Sequence, residues 1–148
     1  MQPRILAVDY GRVRLGLAVS DALGMASHPL PALRRSSPEA DLVALRALIA
    51  DREVARLVVG LPLNMDGTRG PQAEKVLGFV EGLRRRLGPV PVVTRDERLT
   101  TVEAEERLRA AGMGWKERKG VVDQVAAVVI LQEYLDERPP AAAAKAGA

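Results

Sequence analysis

Four carboxylates in this chain stand where apolar sequence leads up to them. Asp9 ends the run Ile5-Leu6-Ala7-Val8 in RILAVDYG, Asp96 and Glu97 end PVVTRDER, and Asp123 interrupts VVDQVAAVVIL. An acid at the end of one buried strand needs no special explanation, because it often reaches water. Several acids that could converge are different, since each repels the others unless a cation lies between them. Asp96 and Glu97 are adjacent, so an extended backbone sends them to opposite sides and at most one can face Asp9. Asp123 is odder, because an unpaired carboxylate inside a packed helix is costly or loses its charge. An ion pair with Lys119, one turn earlier, would account for it structurally. The small residues Gly120, Ala126 and Ala127 around it would also leave room for an ion. Asp9, Glu97 and Asp123 together would form an all-oxygen site suited to a hard divalent cation, Mg²⁺ or Mn²⁺. Two such ions can clamp the attacking and leaving oxygens of a phosphodiester without a nucleophilic side chain.

Such a site needs elements that bring distant segments to one edge. RILAVDYG reads as a buried strand and VRLGLAVSD as a second, joined by a short Gly11-containing link that favours an antiparallel hairpin. SHPLPALRR is a third extended piece, confined to an edge by Pro29 and Pro31. SSPEADLVALRALIADRE is a helix capped by Ser37, with Pro38 in its first turn and Leu42, Leu45, Leu48 and Ile49 on one face. VARLVVGLP is a buried strand. A second helix in TRGPQAEKVLGFVEGLRRRLG turns Val76, Leu77, Val80, Leu83 and Leu87 inward and ends at Gly88-Pro89. VPVVTRDER is a fifth strand. TTVEAEERLRAAG opens with a capping box from Thr100 to Glu103 and forms a third helix. GWKERKG reads as a basic loop before a last helix in VVDQVAAVVILQEYLDE. Right-handed crossovers make the later strands parallel. The expected fold is α/β, a mixed five-stranded sheet with three antiparallel strands followed by parallel ones, flanked by helices. Sites in such sheets form at the carboxyl ends of the parallel strands, where Asp9, GLPLNMDG and RDER would meet.

Composition narrows the partners. The 148 residues suit one domain over 1–138, followed by a low-complexity, disordered tail over 139–148. There is no cysteine, which excludes disulfides and thiolate metal sites. No apolar run is long enough to span a bilayer and the N-terminus lacks a signal-peptide pattern, so a cytoplasmic location is expected. The net charge is +3 and the sequence pI about 9.7, which favours a polyanionic partner. The aromatic residues are only Tyr10, Phe79, Trp115 and Tyr134. A nucleic acid would therefore be held mainly through its phosphates.

LAVDYGRVRLGLAVSD, VVGLPLNMDG, RDERLTTVEA and VDQVAAVVILQEYL resemble, in order and spacing, the bacterial YqgF/RuvX family of nucleases, over residues 4 to 136. The resemblance implies a ribonuclease H-like fold related to the Holliday junction resolvases, and metal-dependent cleavage of phosphodiesters. It also implies a role in processing the 5′ end of the small-subunit ribosomal RNA precursor. By matching motifs, Asp9, Glu97 and Asp123 take the metal-binding, catalytic role. Two departures from the related resolvases stand out. The acid those proteins carry at the end of the fourth strand is replaced by GLP, so Glu97 must substitute. Where they often carry a further acid or histidine one turn after the last Asp, this chain has Ala126 and Ala127.

The expected substrate contacts are Arg14, Asn64, Arg98, Lys116, Arg118 and Lys119. PLNMDGTRG lacks the Gly-Lys-Ser/Thr ending of a P-loop, and Asn64 could equally belong to a plain turn. His28 stands far from the acids in sequence. Arg84, Arg85 and Arg86 suit a helix C-terminus and a solvated face. Two other functions compete within nucleic-acid chemistry: resolution of branched DNA, which calls for a dimer and so leaves a weak homodimer open, and a non-catalytic RNA-binding role in ribosome assembly. A sugar-kinase-like ATP site is disfavoured, since such enzymes need two domains of this kind and usually a hydroxyl residue where Arg12 stands.

Overall fold

The computed structural model describes residues 3–97, 106, 109–112 and 115–137, with the backbone alone for 115–124. The elements follow in the order β1 (Arg4–Tyr10), β2 (Arg14–Ser20), β3 (Ser27–Arg34), α1 (Pro38–Asp51), β4 (Val54–Leu61), α2 (Pro71–Arg86), β5 (Val92–Asp96) and α3 (Trp115–Glu137). They build one sheet in the order β3-β2-β1-β4-β5. β1 pairs antiparallel with β2 and parallel with β4, β2 pairs antiparallel with β3, and β4 pairs parallel with β5. This is the mixed five-stranded, ribonuclease H-like arrangement that the sequence predicts. β3 lies at the edge, where Pro29 and Pro31 are tolerated, and Leu30 is its one buried residue.

The pleat divides the core in two. Leu6, Val8, Leu17, Val19, Leu57 and Val59 face one way and pack under α1 and α2, against Leu42, Leu45, Val76, Val80 and Leu83. Ile5, Ala7, Ala18 and Val58 face the other way and pack under α3, against Ala127, Ile130, Leu131 and Leu135. The second interface is built on alanines from both partners, so the helix lies close to the sheet with little side-chain bulk between them. α1 starts as expected: Ser37 Oγ accepts from Ala40 N at 3.1 Å, with Pro38 in the first turn.

Two local readings are corrected, and one tie appears that the sequence alone does not show. Leu77 is half-buried and outside the core cluster, while Ala73 is fully buried, because the inward stripe of α2 runs 73, 76, 80, 83. Residues 115–120, expected as a basic loop, form the first turns of α3, so the last helix begins at Trp115 rather than Val121. Arg95 pairs with Glu133 and Glu137 of α3, because it shares the α3 face with Val93. The Thr100–Glu103 capping box, Arg98 and the 139–148 tail lie outside the described residues. No helix among the described residues is long and apolar enough to cross a membrane.

Two tests follow from this packing. Ser20, 1% exposed, takes the Ile5 N–H at 2.8 Å where the β1–β4 register shifts. Ser20→Ala leaves that buried donor without its acceptor and should lower stability by about 1–3 kcal/mol, read by urea denaturation. An unchanged midpoint would rule out this role for the hydroxyl. The hydrogen bond from Arg95 holds the Glu137 carboxyl below its ordinary range. The stabilisation is therefore complete at neutral pH and disappears as pH falls through that lowered value, while Arg95 stays charged. The stability difference between wild type and Arg95→Met should be constant near neutrality and shrink in acid. A difference that persists unchanged at low pH would show the ion pair to be without effect.

Candidate metal centre

The site grows from the carboxyl end of β1. Val8 is the last residue of β1 in register with β4, opposite Val59, and the next residues along the two strands are Asp9 and Gly60. On the other side Asp9 is paired with Gly16 of β2. Side chains of paired residues share a face, so Asp9 emerges with Ala7 on the α3 side between two positions that lack side chains. A half-buried carboxylate thus stands in a notch flanked by glycines.

Glu97 enters that notch from the far strand. β5 ends at Asp96, level with Leu61, and the Glu97 N–H donates to Leu61 O at 3.0 Å, which carries the extended backbone one residue past the strand. Alternation then sends Glu97, like Val93 and Arg95, to the α3 face, and leaves Asp96 exposed on the opposite one. The Glu97 carboxylate lies directly over Gly60. A methyl group at position 60 would fall 2.7 Å from Glu97 Cδ and 2.7 Å from Ile130 Cδ1, and nearer still to Oε2, which is buried. Neighbouring strands are about 4.8 Å apart, so the Gly60 position over which Glu97 lies is one strand away from Asp9, on the same face of the sheet.

Asp123 stands in α3 one turn before Ala127, which is buried against Ala7, Ala18 and Val58. Its side chain, like those of Lys116, Arg118 and Lys119, lies outside the described residues, as does the expected Lys119 ion pair. Among the described residues no group of three or more Asp, Glu or His could by itself hold a metal. The donors present nonetheless suit a hard divalent ion: two carboxylates, no sulfur and no imidazole, converging on glycine-made space.

The remaining candidates are placed as follows. Arg14 is exposed at the start of β2, and its carbonyl accepts from Gly11 N at 3.1 Å across the hairpin beside Asp9. Asn64 organises the loop after β4: its N–H donates to Thr68 O at 2.8 Å, its Nδ2 to Thr68 Oγ1 at 3.0 Å, and its carbonyl accepts from Gly67 N at 2.8 Å. His28 is exposed, 3.9 Å from Asp21. Arg84 donates to Val92 O at 2.9 and 3.1 Å, and Arg86 pairs with Glu39. These two arginines tie α2 to its neighbours. Three features escape a reading of the sequence: the seat for Glu97 made by Gly60, the Gly16 neighbour of Asp9, and the Arg95 ties to α3. Each is a contact between strands, or between strand and helix, that depends on register. The glycine in GLP was the signal at hand for the first of them.

The profile of the family described as "RuvX: Holliday junction resolvase" matches residues 3–137. A protein of Anaeromyxobacter dehalogenans named "Putative pre-16S rRNA nuclease" is 50% identical over 137 residues, covering 93% of this chain and 99% of that protein. A protein of the same name from Halothermothrix orenii is 48% identical over 133 residues, covering 90% of this chain and 94% of that one. Among solved structures, the fold resembles Thermus thermophilus RuvC in complex with a Holliday junction substrate, at a TM-score of 0.53 and 17% identity over 93% of this chain and 96% of that one. It also resembles the fowlpox virus resolvase bound to junction DNA, at 0.52 and 10% identity over 90% and 97%. With the profile spanning nearly the whole chain and relatives at half identity, this chain belongs to the RuvX family.

Proposed function

We propose that this chain is a divalent-metal-dependent nuclease that cleaves phosphodiester bonds in precursor ribosomal RNA, with Asp9, Glu97 and Asp123 as its ion-holding carboxylates. The observation that carries the reading is the seating of Glu97 over Gly60, beside Asp9 and on the same face of the sheet. The substrate class comes from the relatives named as pre-16S rRNA nucleases. Mg²⁺ or Mn²⁺ bound there supplies a Lewis acid for the charge on the attacking and leaving oxygens.

The protein's share of the chemistry is positional. Asp9 is held by its pairing with Gly16 of β2, one residue past the end of the β1–β4 ladder, and the Glu97 backbone by its bond to Leu61. Neither acid must reorganise to meet an ion, and such preorganisation keeps the catalytic distance constant. Asp123 approaches from α3, whose place over the sheet is set by Ala127 and Ile130. Arg14, Arg98, Lys116, Arg118 and Lys119 would contact the phosphates of the substrate, and Asn64 would shape the loop beside it. A second reading, cleavage of four-way DNA junctions, is favoured by the description of the family and by the RuvC-like fold. It requires two copies with paired sites.

The deciding assay incubates the full chain with labelled ribosomal RNA precursor, single-stranded DNA and a four-way junction, each with Mn²⁺ or with EDTA. Cleavage of the RNA is expected with Mn²⁺ and none with EDTA, and preference for the junction would favour the second reading. Asp9→Asn should lose about a hundredfold or more in rate with an unchanged melting temperature. Full activity in EDTA, or in a folded Asp9→Asn, would overturn the metal assignment. Gly60→Ala tests the seat itself: the methyl must displace the Glu97 carboxylate or Ile130. Cleavage should fall by about a hundredfold and stability by about 1–3 kcal/mol. A Gly60→Ala variant as active as wild type would show that the position of Glu97 does not matter to the reaction.

A further inference from the structure

Tyr10 follows Asp9 in β1 and therefore faces the other side of the sheet, where α1 and α2 pack. There it lines a cavity of about 510 Å³ together with Gly11, Arg12, Arg35, Gln72 and Lys75. Arg35 is the fixed centre of this cleft. Its Nη1 donates to Gly11 O at 2.9 Å and to Arg12 O at 3.1 Å, its Nη2 donates to the Tyr10 hydroxyl, and its guanidinium lies 4.2 Å from the centre of the Tyr10 ring. All its partners are neutral. Among the described residues no carboxylate pairs with Arg12, Arg35 or Lys75. Three cations around one cavity repel one another, and a bound anion relieves that repulsion. Gln72 and Lys75 lie in the first turns of α2, whose start has no side-chain cap and adds its partial positive charge to the same place.

A second cavity of about 350 Å³ shares Tyr10 and Arg35 with the first; Phe79, Leu83 and Leu42 give it an apolar wall, and Ser36, Asp41, Arg85 and Arg86 a polar one. Tyr10 and Phe79, two of the four aromatic residues of the chain, stand 4.6 Å apart by ring centroids. A basic cleft beside a cavity with both an aromatic wall and polar groups matches a phosphate with an attached base better than an inorganic anion.

We propose that the cleft of Tyr10, Gly11, Arg12, Arg35, Gln72 and Lys75 binds a phosphate of single-stranded nucleic acid, on the face of the sheet opposite the carboxylates. The proposal rests on the nuclease reading and extends it: a strand that rounds the end of β1 meets the acids on one side and this cleft on the other. The backbones of Asp9 and Tyr10 are adjacent but their side chains leave opposite faces, so the two contacts would fall on different nucleotides of one strand. Arg12 and Lys75 are the groups free to touch the phosphate, and Arg35 holds the cleft in shape.

The test is the affinity of the full chain for a short labelled single-stranded RNA, in EDTA so that nothing is cut, across a salt series. Arg12→Gln/Lys75→Gln should bind about tenfold more weakly at low salt, with a slope of log affinity against log salt flatter by about 0.7 for each cation removed. Arg4→Gln removes one charge at the opposite end of β1 and should change neither. The side chains of Arg12 and Lys75 are exposed, so an unchanged melting temperature is expected. Equal slopes for wild type and the double variant would overturn the proposal while leaving the nuclease reading intact. Inorganic phosphate that displaces the RNA at concentrations matching the RNA affinity would reduce the cleft to a small-anion site and overturn it too. If wild type neither binds nor cleaves RNA, both the cleft and the nuclease reading fall.

Discussion

The pleat of β1 is the constraint on which the rest depends. The strand is hydrogen-bonded on both sides and covered on both faces, so its register has no freedom to slip: a shift by one residue would bury Asp9 among leucines and bring Val8 to the α3 notch. Fixing Leu6 and Val8 under α1 and α2 fixes Ala7 and Asp9 under α3. The two chemically distinct faces at the end of this strand, acidic toward α3 and basic toward α2, come from one alternation.

Small residues turn that alternation into usable space. Ala7 and Ala18 in the sheet and Ala126 and Ala127 in the helix are buried, and their size brings the α3 axis near the strands. Gly16 and Gly60 on either side of Asp9 then leave open the places that side chains would fill. At Gly60 the Glu97 carboxylate moves in, guided by a single backbone bond to Leu61.

Much of this was legible in the residues. The strand runs, the Ser37 cap, the edge position forced by Pro29 and Pro31, and the opposite directions of Asp96 and Glu97 follow from periodicity and backbone chemistry that act within a few residues. What escaped depends on contacts distant in sequence. Arg95 sits beside Asp96, yet its partners lie about forty residues on, because strand alternation aims it at α3. The first turns of α3 read as a loop, since two glycines, Gly114 and Gly120, bracket a charged run; the helix continues through Gly120 regardless. A glycine costs an interior helix about 1 kcal/mol, and packing of the buried half of α3 offsets that.

The same logic bears on how a chain with so few aromatic residues and a modest net charge would handle the polyanion proposed for it. Of the described cations near the sheet, Arg84, Arg86 and Arg95 are committed to tying elements together, and their charge is spent on carbonyls and carboxylates. Arg12 and Lys75 are not, and Arg35, though bonded to the Gly11 and Arg12 carbonyls, has no carboxylate partner among the described residues; all three line the cleft at the end of β1. The local field is therefore stronger than the overall charge implies, because it reflects which cations lack carboxylate partners and where they stand. Acids gathered on one face of the strand end would repel an approaching phosphate on their own. A cation held between them would reverse that sign, and the proposed basic cleft across the sheet edge would attract the flanking phosphate without competing for the same ion.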